Sequence, residues 1–177
     1  MLNREILQGE KVLLSPIVMD DCEDFVRWRN SEFVQENFIY RKKLTVEEQK
    51  NWIENKVNTG EVVQYIIWTK KDNKKIGSVY LQKFDNKKES CEFGILIGEK
   101  DYLGQGLGRE ANQLICEYAF EKIGVETIYL RVLEKNIRAK KSYLKAGYEI
   151  DLNRKDQIEI DGKLENVVFM VRRKGIK

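Results

Sequence analysis

The sequence contains no histidine, and this absence excludes several kinds of catalytic site. A Ser-His-Asp triad, a Cys-His pair and a zinc site built on histidine all need the imidazole ring as a base or as a ligand. Any acid or base in this protein must therefore be a Glu, Asp, Tyr, Lys or Cys side chain, or a water molecule.

Cysteine is also scarce. The three cysteines, Cys22, Cys91 and Cys116, are far apart in the sequence and odd in number. Such spacing fits neither a disulfide framework nor a cysteine metal cluster. We therefore expect reduced thiols in or near the core, and no bound metal.

Long apolar runs and a strong excess of one charge are absent as well. No stretch approaches the ~20 apolar residues of a membrane span, and residues 1–11 carry the charges of Arg4, Glu5, Glu10 and Lys11 instead of the apolar run of a signal peptide. The chain has 32 Lys and Arg against 29 Asp and Glu, a formal net charge of +3. Nucleic-acid-binding proteins usually concentrate far more positive charge. We expect a cytoplasmic protein that has neither a membrane nor nucleic acid as its partner.

Nothing in the sequence marks a linker or a second domain. Pro16 is the single proline of the 177 residues, and the chain has no low-complexity segment and no internal repeat. A chain of this length buries a sizeable core without disulfides or metals. The sequence therefore predicts one domain over residues 1–177.

Hydrophobic periodicity predicts an alternation of strands and helices. Strands are expected at 11–17, 62–69, 75–83, 89–97 and 127–132, with a C-terminal hairpin that turns at Asp161 and Gly162, and helices at 20–29, 45–58, 106–122 and 136–146. Thr45 and Glu48 form a capping-box pattern at the start of the second helix. The order of these elements predicts a mixed sheet with helices on its faces.

The densest chemical signal is a glycine-rich loop between a predicted strand and a predicted helix, in the segment ILIGEKDYLGQGLGREA at 95–111. Gly104, Gly106 and Gly108 stand at alternate positions. Alternate glycines let the backbone approach a ligand closely, and the free N–H groups of the first helical turn favour phosphate. We interpret the loop as an anion site; the alternative is that the glycines only permit a tight turn. The sequence lacks the Gly-Lys-Ser/Thr of a nucleotide P-loop and the glycine spacing of a dinucleotide fold.

A second motif follows about thirty residues later, in the segment LRVLEKNIRAKKSYLKAGYE at 130–149. It places Asn136, Ala139, Tyr143, Gly147 and Tyr148 at the spacing Asn-x-x-Ala-x-x-x-Tyr-x-x-x-Gly-Tyr. Together with the glycine-rich loop, this pattern resembles the GNAT superfamily of N-acetyltransferases. The acetyl-CoA motif of that family begins with Gln/Arg-x-x-Gly-x-Gly/Ala.

The first half of the family motif is matched at Gly106 and Gly108, whereas Leu103 stands where Gln or Arg is usual. This departure affects one side-chain contact and leaves the backbone cradle intact. The resemblance is densest over residues 90–148. It implies a GNAT-like α/β (α+β) fold, with a mixed, mostly antiparallel sheet of six to seven strands that is splayed in the middle and flanked by about four helices.

The resemblance also implies acetyl-CoA as the acetyl donor. In such folds the pantetheine arm adds itself, through backbone hydrogen bonds, between the strands that correspond to residues 92–97 and 127–132. The residues implied to contact the cofactor are Leu96, Ile97, Leu103, Gly104, Gln105, Gly106, Leu107, Gly108, Arg109, Asn136 and Ala139. A backbone N–H near Leu96 or Ile97 would stabilise the developing oxyanion.

The resemblance implies catalytic roles for Tyr143 and Glu92. A tyrosine hydroxyl, with an ordinary pKa near ~10, is protonated at neutral pH and suits a proton donor to the departing CoA thiolate. Without histidine, Glu92 is the candidate side chain for removing the proton of the amine, because a carboxylate in a partly dry cleft holds a proton more readily. The alternatives are that Glu92 is a salt-bridge partner and that a water chain is the base.

The acceptor pocket is the least readable part of the site. Related enzymes build it from the first two helices and the loop between them, which here contains Glu32, Glu36, Phe38 and Tyr40. Carboxylates there would receive a cationic amine such as a polyamine or a peptide N-terminus. The basic residues 41–43 would instead favour a nucleotide-linked amino sugar. The sequence leaves these small-molecule and peptide acceptors open.

The segments WRN near Trp28 and NWI near Trp52 resemble one branch of the superfamily, which includes ribosomal-protein N-terminal, spermidine and nucleotide-amino-sugar acetyltransferases. This resemblance favours an N-acetyltransferase that acts on a primary amine. The alternative is a non-catalytic module that binds CoA as a sensor or scaffold. Relatives commonly form homodimers, so the resemblance also implies a dimer.

Overall fold

The computed structural model describes residues 5–85, 87 and 89–175. Residues 1–4, part of the charged N-terminal segment discussed above, lie outside the described residues. The described chain forms one sheet, in the strand order β1-β2-β3-β4-β5-β6-β8-β7. The strands are β1 (Leu7–Gln8), β2 (Val12–Pro16), β3 (Val63–Thr69), β4 (Lys74–Gln82), β5 (Ser90–Ile97), β6 (Thr127–Leu133), β7 (Glu149–Ile160) and β8 (Lys163–Arg173).

Helices cover both faces of this sheet. They are α1 (Cys22–Asn30), α2 (Glu32–Gln35), α3 (Val46–Trp52), α4 (Leu107–Tyr118) and α5 (Ile137–Lys145). The last turns of α3 and α4 widen into π-helical segments, Ile53–Val57 and Ala119–Ile123. The predicted capping box forms at the start of α3, where the Thr45 hydroxyl accepts from the Glu48 amide at 3.1 Å and Glu48 Oε2 accepts from the Thr45 amide at 2.9 Å.

The mixed, mostly antiparallel sheet confirms the predicted fold class, but the element counts differ from the prediction. Within the described residues the sheet has eight strands rather than six or seven, and the chain forms five α-helices rather than about four. The additional elements are β1, a two-residue strand that pairs Leu7 with Leu14, and the one-turn helix α2. Both are too short for hydrophobic periodicity to reveal them.

The sheet splits between β5 and β6, the one parallel pair among the described strands. Their register runs from Ser90 and Thr127 to Glu92 and Tyr129 and then ends. Beyond this point β5 continues against β4 as far as Ile97, and β6 continues against β8 as far as Leu133. Backbone N–H and C=O groups of two strands therefore face a gap, and buried groups of this kind require partners.

Alternation along β5 divides the core into two layers, because successive strand side chains point to opposite faces. Ile95 and Ile97 pack in the layer that contains α4, beside the buried Ile115. Leu96 packs on the other face with Trp28 of α1. The split thus connects a layer formed by α4 and α5 to a layer formed by α1, α2 and α3.

All three cysteines are buried and unpaired, as expected for core thiols. Within the described part of the chain, no helix has the length and apolar character needed to cross a membrane. The described Cys, Asp and Glu side chains form no group of three suited to a metal ion.

Candidate active site

A cleft of about 630 Å³ runs through the split, from the glycine-rich loop to the segment after α2. The residues that the family resemblance implied for the cofactor all line it: Leu96, Ile97, Leu103, Gly104, Gln105, Gly106, Leu107, Gly108, Arg109, Asn136 and Ala139. Both candidate catalytic residues, Glu92 and Tyr143, line it as well. The structure therefore brings together two motifs that are about thirty residues apart in sequence.

The glycine-rich loop ends at Gly106, which is the N-cap of α4 in the left-handed conformation, with φ 81°. This conformation favours glycine, and no side chain caps the helix. The first amides of a helix have no partner within it and carry the positive end of its dipole. These amides adjoin the cleft, so this end of α4 is suited to hold a diphosphate.

Asn136 and Tyr143 reach the cleft from α5. Asn136 caps that helix, and its side-chain oxygen accepts from the Ala139 amide at 3.1 Å. The carboxamide nitrogen of Asn136 is its donor group and is the atom suited to a carbonyl of the pantetheine arm. One side chain thus fixes the start of α5 and adds a polar group to the cleft wall.

Tyr143 is half-buried and packs edge-on against Phe93 of β5, with ring centroids 6.2 Å apart. Burial raises the pKa of the Tyr143 hydroxyl above its ordinary value, and the nearby Tyr80 hydroxyl adds to the shift. The hydroxyl therefore stays protonated across the neutral and mildly alkaline range. A protonated donor at the split suits the role predicted for Tyr143.

Glu92 lies at the point where β5 and β6 part, and it is 5% exposed. Its Oε1 accepts from Nε of Arg131 at 2.9 Å, and its Oε2 lies 2.7 Å from Nζ of Lys83. Oε1 is thus hydrogen-bonded to Arg131, whereas Oε2 is in ion contact with Lys83 and has no hydrogen-bond partner among the described residues. An amine that uses Glu92 as a base has to exchange with Lys83 or reach the carboxylate through water.

Arg131 is a cleft residue that the sequence analysis missed. It stands on β6, and its Nη2 donates to the Tyr40 hydroxyl at 3.1 Å. Burial opposes its charge, but hydrogen bonds to Tyr40 and Glu92 outweigh that effect and raise the pKa of Arg131. Arg131 lies in a regularly alternating strand, and that pattern does not distinguish an arginine in a cleft from one exposed to solvent.

Tyr80 of β4 is a second cleft residue that the sequence analysis missed. It stands opposite Gly94 in the β4–β5 register, and any Cβ at Gly94 would overlap the Tyr80 ring. Burial and the charge of Glu92 raise the pKa of Tyr80 to about 12. An isolated glycine within a strand marks a close approach, so Gly94 was the available sequence signal for this residue.

The predicted acceptor residues divide between the cleft and the surface. Phe38 and Tyr40 line the cleft, whereas Glu32 and Glu36 do not. Glu36 borders a separate shallow groove beside Lys100. Glu32 and Glu36 lie outside the cleft because of the one-turn helix α2. Residues four apart share a helix face, so both carboxylates lie on the same side of this turn. Both carboxylates point to solvent while Val34 is buried.

Arg29 lies behind this acceptor segment and is 9% exposed. Its guanidinium carbon is 4.0 Å from the centroid of the Phe38 ring, and its Nη2 donates to the Tyr40 carbonyl. Its Nη1 is buried and has no hydrogen-bond partner among the described residues. Desolvation lowers the pKa of Arg29, because burial disfavours the charged form.

Comparisons with known proteins identify relatives of this chain. The chain is 29% identical over 149 residues to an uncharacterised protein of Methanocaldococcus jannaschii, a match that covers 82% of this chain and 30% of that protein. The chain thus spans less than a third of this relative's length. It is 24% identical over 169 residues to a probable N-acetyltransferase, YjcK, of Bacillus subtilis, which covers 91% of this chain and 93% of that protein.

The fold is shared with a solved structure, that of spermidine N-acetyltransferase from Vibrio cholerae in complex with CoA and spermine. The two have a TM-score of 0.86 with 18% identity, over 95% of this chain and 98% of the other. A family model described as an acetyltransferase (GNAT) domain matches residues 11–149. Because this match spans most of the chain, the protein belongs to the GNAT family of acetyltransferases, acyltransferases that use acetyl-CoA as the donor.

Proposed function

We propose that this chain transfers the acetyl group of acetyl-CoA to a primary amine. The observation that carries the proposal is the cleft through the split sheet, which joins the glycine-rich end of α4 to Tyr143. The fit to acetyl-CoA rests on features of the backbone. The left-handed Gly106 leaves the helix end open to an anion, and β5 has an unpaired edge beyond Glu92.

Each part of the cleft has a separate task in this proposal. The amides of residues 106–109 bind the diphosphate, and the carboxamide of Asn136 orients the pantetheine arm. Acetyl-CoA supplies an activated thioester. The amide of Leu96 or Ile97 donates to the thioester oxygen and stabilises negative charge as it develops there.

Two proton movements accompany the transfer. A nitrogen–carbon bond forms while the carbon–sulfur bond breaks, so the amine loses one proton and the departing sulfur gains one. Tyr143 gives its proton to the sulfur. Glu92, directly or through water, takes the proton of the amine, and a water chain is the alternative base.

Release of free CoA thiol tests this proposal. Purified protein is incubated with acetyl-CoA and, in separate reactions, with polyamines, peptides and amino sugars, and the thiol is measured over time. We expect at least one amine to accelerate thiol release above the amine-free rate, with the acetylated amine found by mass spectrometry. Tight CoA binding without release across a broad panel would instead indicate a non-catalytic CoA-binding module.

A further inference from the structure

The charges along the cleft are strongly one-sided. Glu92 is the carboxylate among its described lining residues, and it is already paired with Lys83 and Arg131. The lining cations are Arg109, Arg131, Arg138, Lys141 and Lys145. Most of these stand on α4 or α5, beside the place proposed for CoA. Arg131 stands instead on the acceptor side, beside Tyr40 and Glu92.

A second cation, Arg29, adds to the positive potential on the acceptor side. It stacks on Phe38, a residue of the cleft wall, and its buried Nη1 has no hydrogen-bond partner among the described residues. No carboxylate is paired with it in the described chain. A buried cation without a counter-charge is costly, and an anion brought by a ligand would offset that cost.

Tyr40 connects the two arginines. Its carbonyl accepts from Arg29 Nη2, and its hydroxyl accepts from Arg131 Nη2 at 3.1 Å. The Tyr40 side chain is 58% exposed, and it lies on the segment between α2 and α3, where it forms part of no helix or strand. One exposed residue therefore occupies donors on both guanidinium groups.

From these contacts we infer that the amine acceptor also carries an anionic group, a phosphate or a carboxylate, which Arg131 and Arg29 bind after Tyr40 moves aside. The inference rests on the proposed function, since it names the class of amine that the same cleft accepts. Guanidinium groups bind phosphate and carboxylate through paired N–H donors. A polyamine would place its further ammonium groups against these arginines, which like-charge repulsion opposes.

A matched series of short amines tests the inference. The probes are 3-aminopropyl phosphate, 4-aminobutanoate, 3-aminopropan-1-ol and propane-1,3-diamine, which differ mainly in the group at the far end. The value of kcat/KM for thiol release is compared at equal concentrations of unprotonated amine. We expect the phosphate or the carboxylate to exceed the alcohol by about tenfold or more, and the diamine to be the poorest. The anionic amine with the higher kcat/KM shows whether the anionic group of the acceptor is a phosphate or a carboxylate.

Variants then locate the anion site. In Arg131→Gln, the ratio of kcat/KM for the preferred anionic amine to that for the alcohol should fall towards one. Arg29→Lys, which keeps a charge but loses the planar fork, should lower the same ratio. Arg27→Gln is the matched control, because Arg27 stands on the same helix but is solvent-exposed and pairs with Asp24 and Glu99. Its ratio should equal that of the parent.

The outcomes separate this inference from the function on which it rests. Thiol release that is equal or faster with the diamine would overturn the anionic acceptor and leave acetyl transfer standing. An anion preference that survives Arg131→Gln and Arg29→Lys would overturn the assignment to these arginines. If the protein binds acetyl-CoA but releases no CoA thiol with any amine, the proposed acetyl transfer itself is wrong.

Discussion

Tyr143 combines a cleft position with a hydroxyl that holds its proton firmly. We expect Tyr143→Phe to lower kcat by about 100-fold, because a positioned proton donor contributes at least that factor. The dissociation constant of acetyl-CoA should stay within about twofold, since the ring still packs on Phe93. Thiol release gives the first quantity and calorimetry the second. An unchanged kcat would remove the donor role of Tyr143.

Glu92 is held as a buried carboxylate between Lys83 and Arg131. Glu92→Gln leaves Arg131 buried without its counter-charge, so we expect the free energy of unfolding to fall by about 3 kcal/mol. Urea denaturation measures this change. Glu61→Gln is the control, because the ion pair of Glu61 with Lys56 is exposed and should contribute less than about 0.5 kcal/mol. Equal losses in the two variants would contradict the buried-pair account.

The role of Glu92 as a base stays a prediction that the same variant tests. If Glu92→Gln removes the rise of the rate with pH while the fold persists, the carboxylate is the base. A pH profile that matches the parent would leave water in that role. The sequence left a salt bridge open as the role of Glu92, but it did not identify the partners, because Lys83, Glu92 and Arg131 stand on three different chain segments.

At the scale of elements, the loop before α4 depends on the left-handed conformation of Gly106. Gly106→Ala should cost about 1 kcal/mol of folding stability through backbone strain. The added methyl group would also lie beside the amides of residues 106–109, where the diphosphate is proposed to bind. We therefore expect the dissociation constant of acetyl-CoA to rise about tenfold, which is a loss of about 1.4 kcal/mol of binding free energy.

Gly124→Ala is the matched control for this loop. Gly124 has φ 89° at the other end of α4, with no atom within 4 Å of an added Cβ. The two alanine variants should therefore lose similar stability in urea denaturation. Calorimetry should show weaker acetyl-CoA binding in Gly106→Ala and unchanged binding in Gly124→Ala. Equal affinities in both would contradict a diphosphate site at this loop.

Helices and strands with strong hydrophobic periodicity could be predicted from the sequence, whereas the helix and the strand that were not predicted are short. The capping box at Thr45 and the helix that begins after Gly106 formed where the pattern placed them. The one-turn helix α2 was not foreseen, and it turned Glu32 and Glu36 out of the cleft. Its four residues hold too few apolar positions to define a face.

The candidate site divides in the same way. The family resemblance, carried by motifs within one loop and one helix, implied the residues proposed for the cofactor, and all of them line the cleft. The acceptor half depends on contacts between separate structural elements, such as Arg29 with Tyr40 and Arg131 with Glu92. Pairings of this kind are set by the fold as a whole, so a single sequence does not reveal them.

At the scale of the whole molecule, family membership confirms the predictions of an acyltransferase and of acetyl-CoA as its donor. It does not specify the acceptor. Our inference that the acceptor carries an anionic group is based on the charges around the cleft. The anionic acceptor rests on acetyl transfer, but the two can be tested separately, because Tyr143 and the residues proposed for CoA differ from Arg29 and Arg131.

The absence of histidine also shapes the pH dependence of folding. Burial raises the pKa of Tyr80 to about 12 and of Cys116 to about 11. A group whose pKa is higher in the folded than in the unfolded state contributes its full stabilisation at pH values below its unfolded-state pKa. This contribution is lost as the pH rises through its folded-state pKa. The free energy of unfolding should therefore stay level between about pH 6 and 8 and fall above about pH 10.

Urea denaturation at a series of pH values measures this profile, and Tyr80→Phe provides the comparison. Phenylalanine does not titrate, so the variant should lose stability less steeply above about pH 10. A profile that falls equally steeply in parent and variant would show that the Tyr80 hydroxyl does not contribute.

We propose that the split between β5 and β6 receives acetyl-CoA, with its diphosphate on the amides before α4. A crystal structure of the chain with acetyl-CoA tests this most directly. We expect the diphosphate within hydrogen-bond distance of the amides of residues 106–109, the pantetheine along the free edge of β5, and the thioester near the Tyr143 hydroxyl. A cofactor bound elsewhere, with this split closed, would exclude acetyl transfer at this cleft.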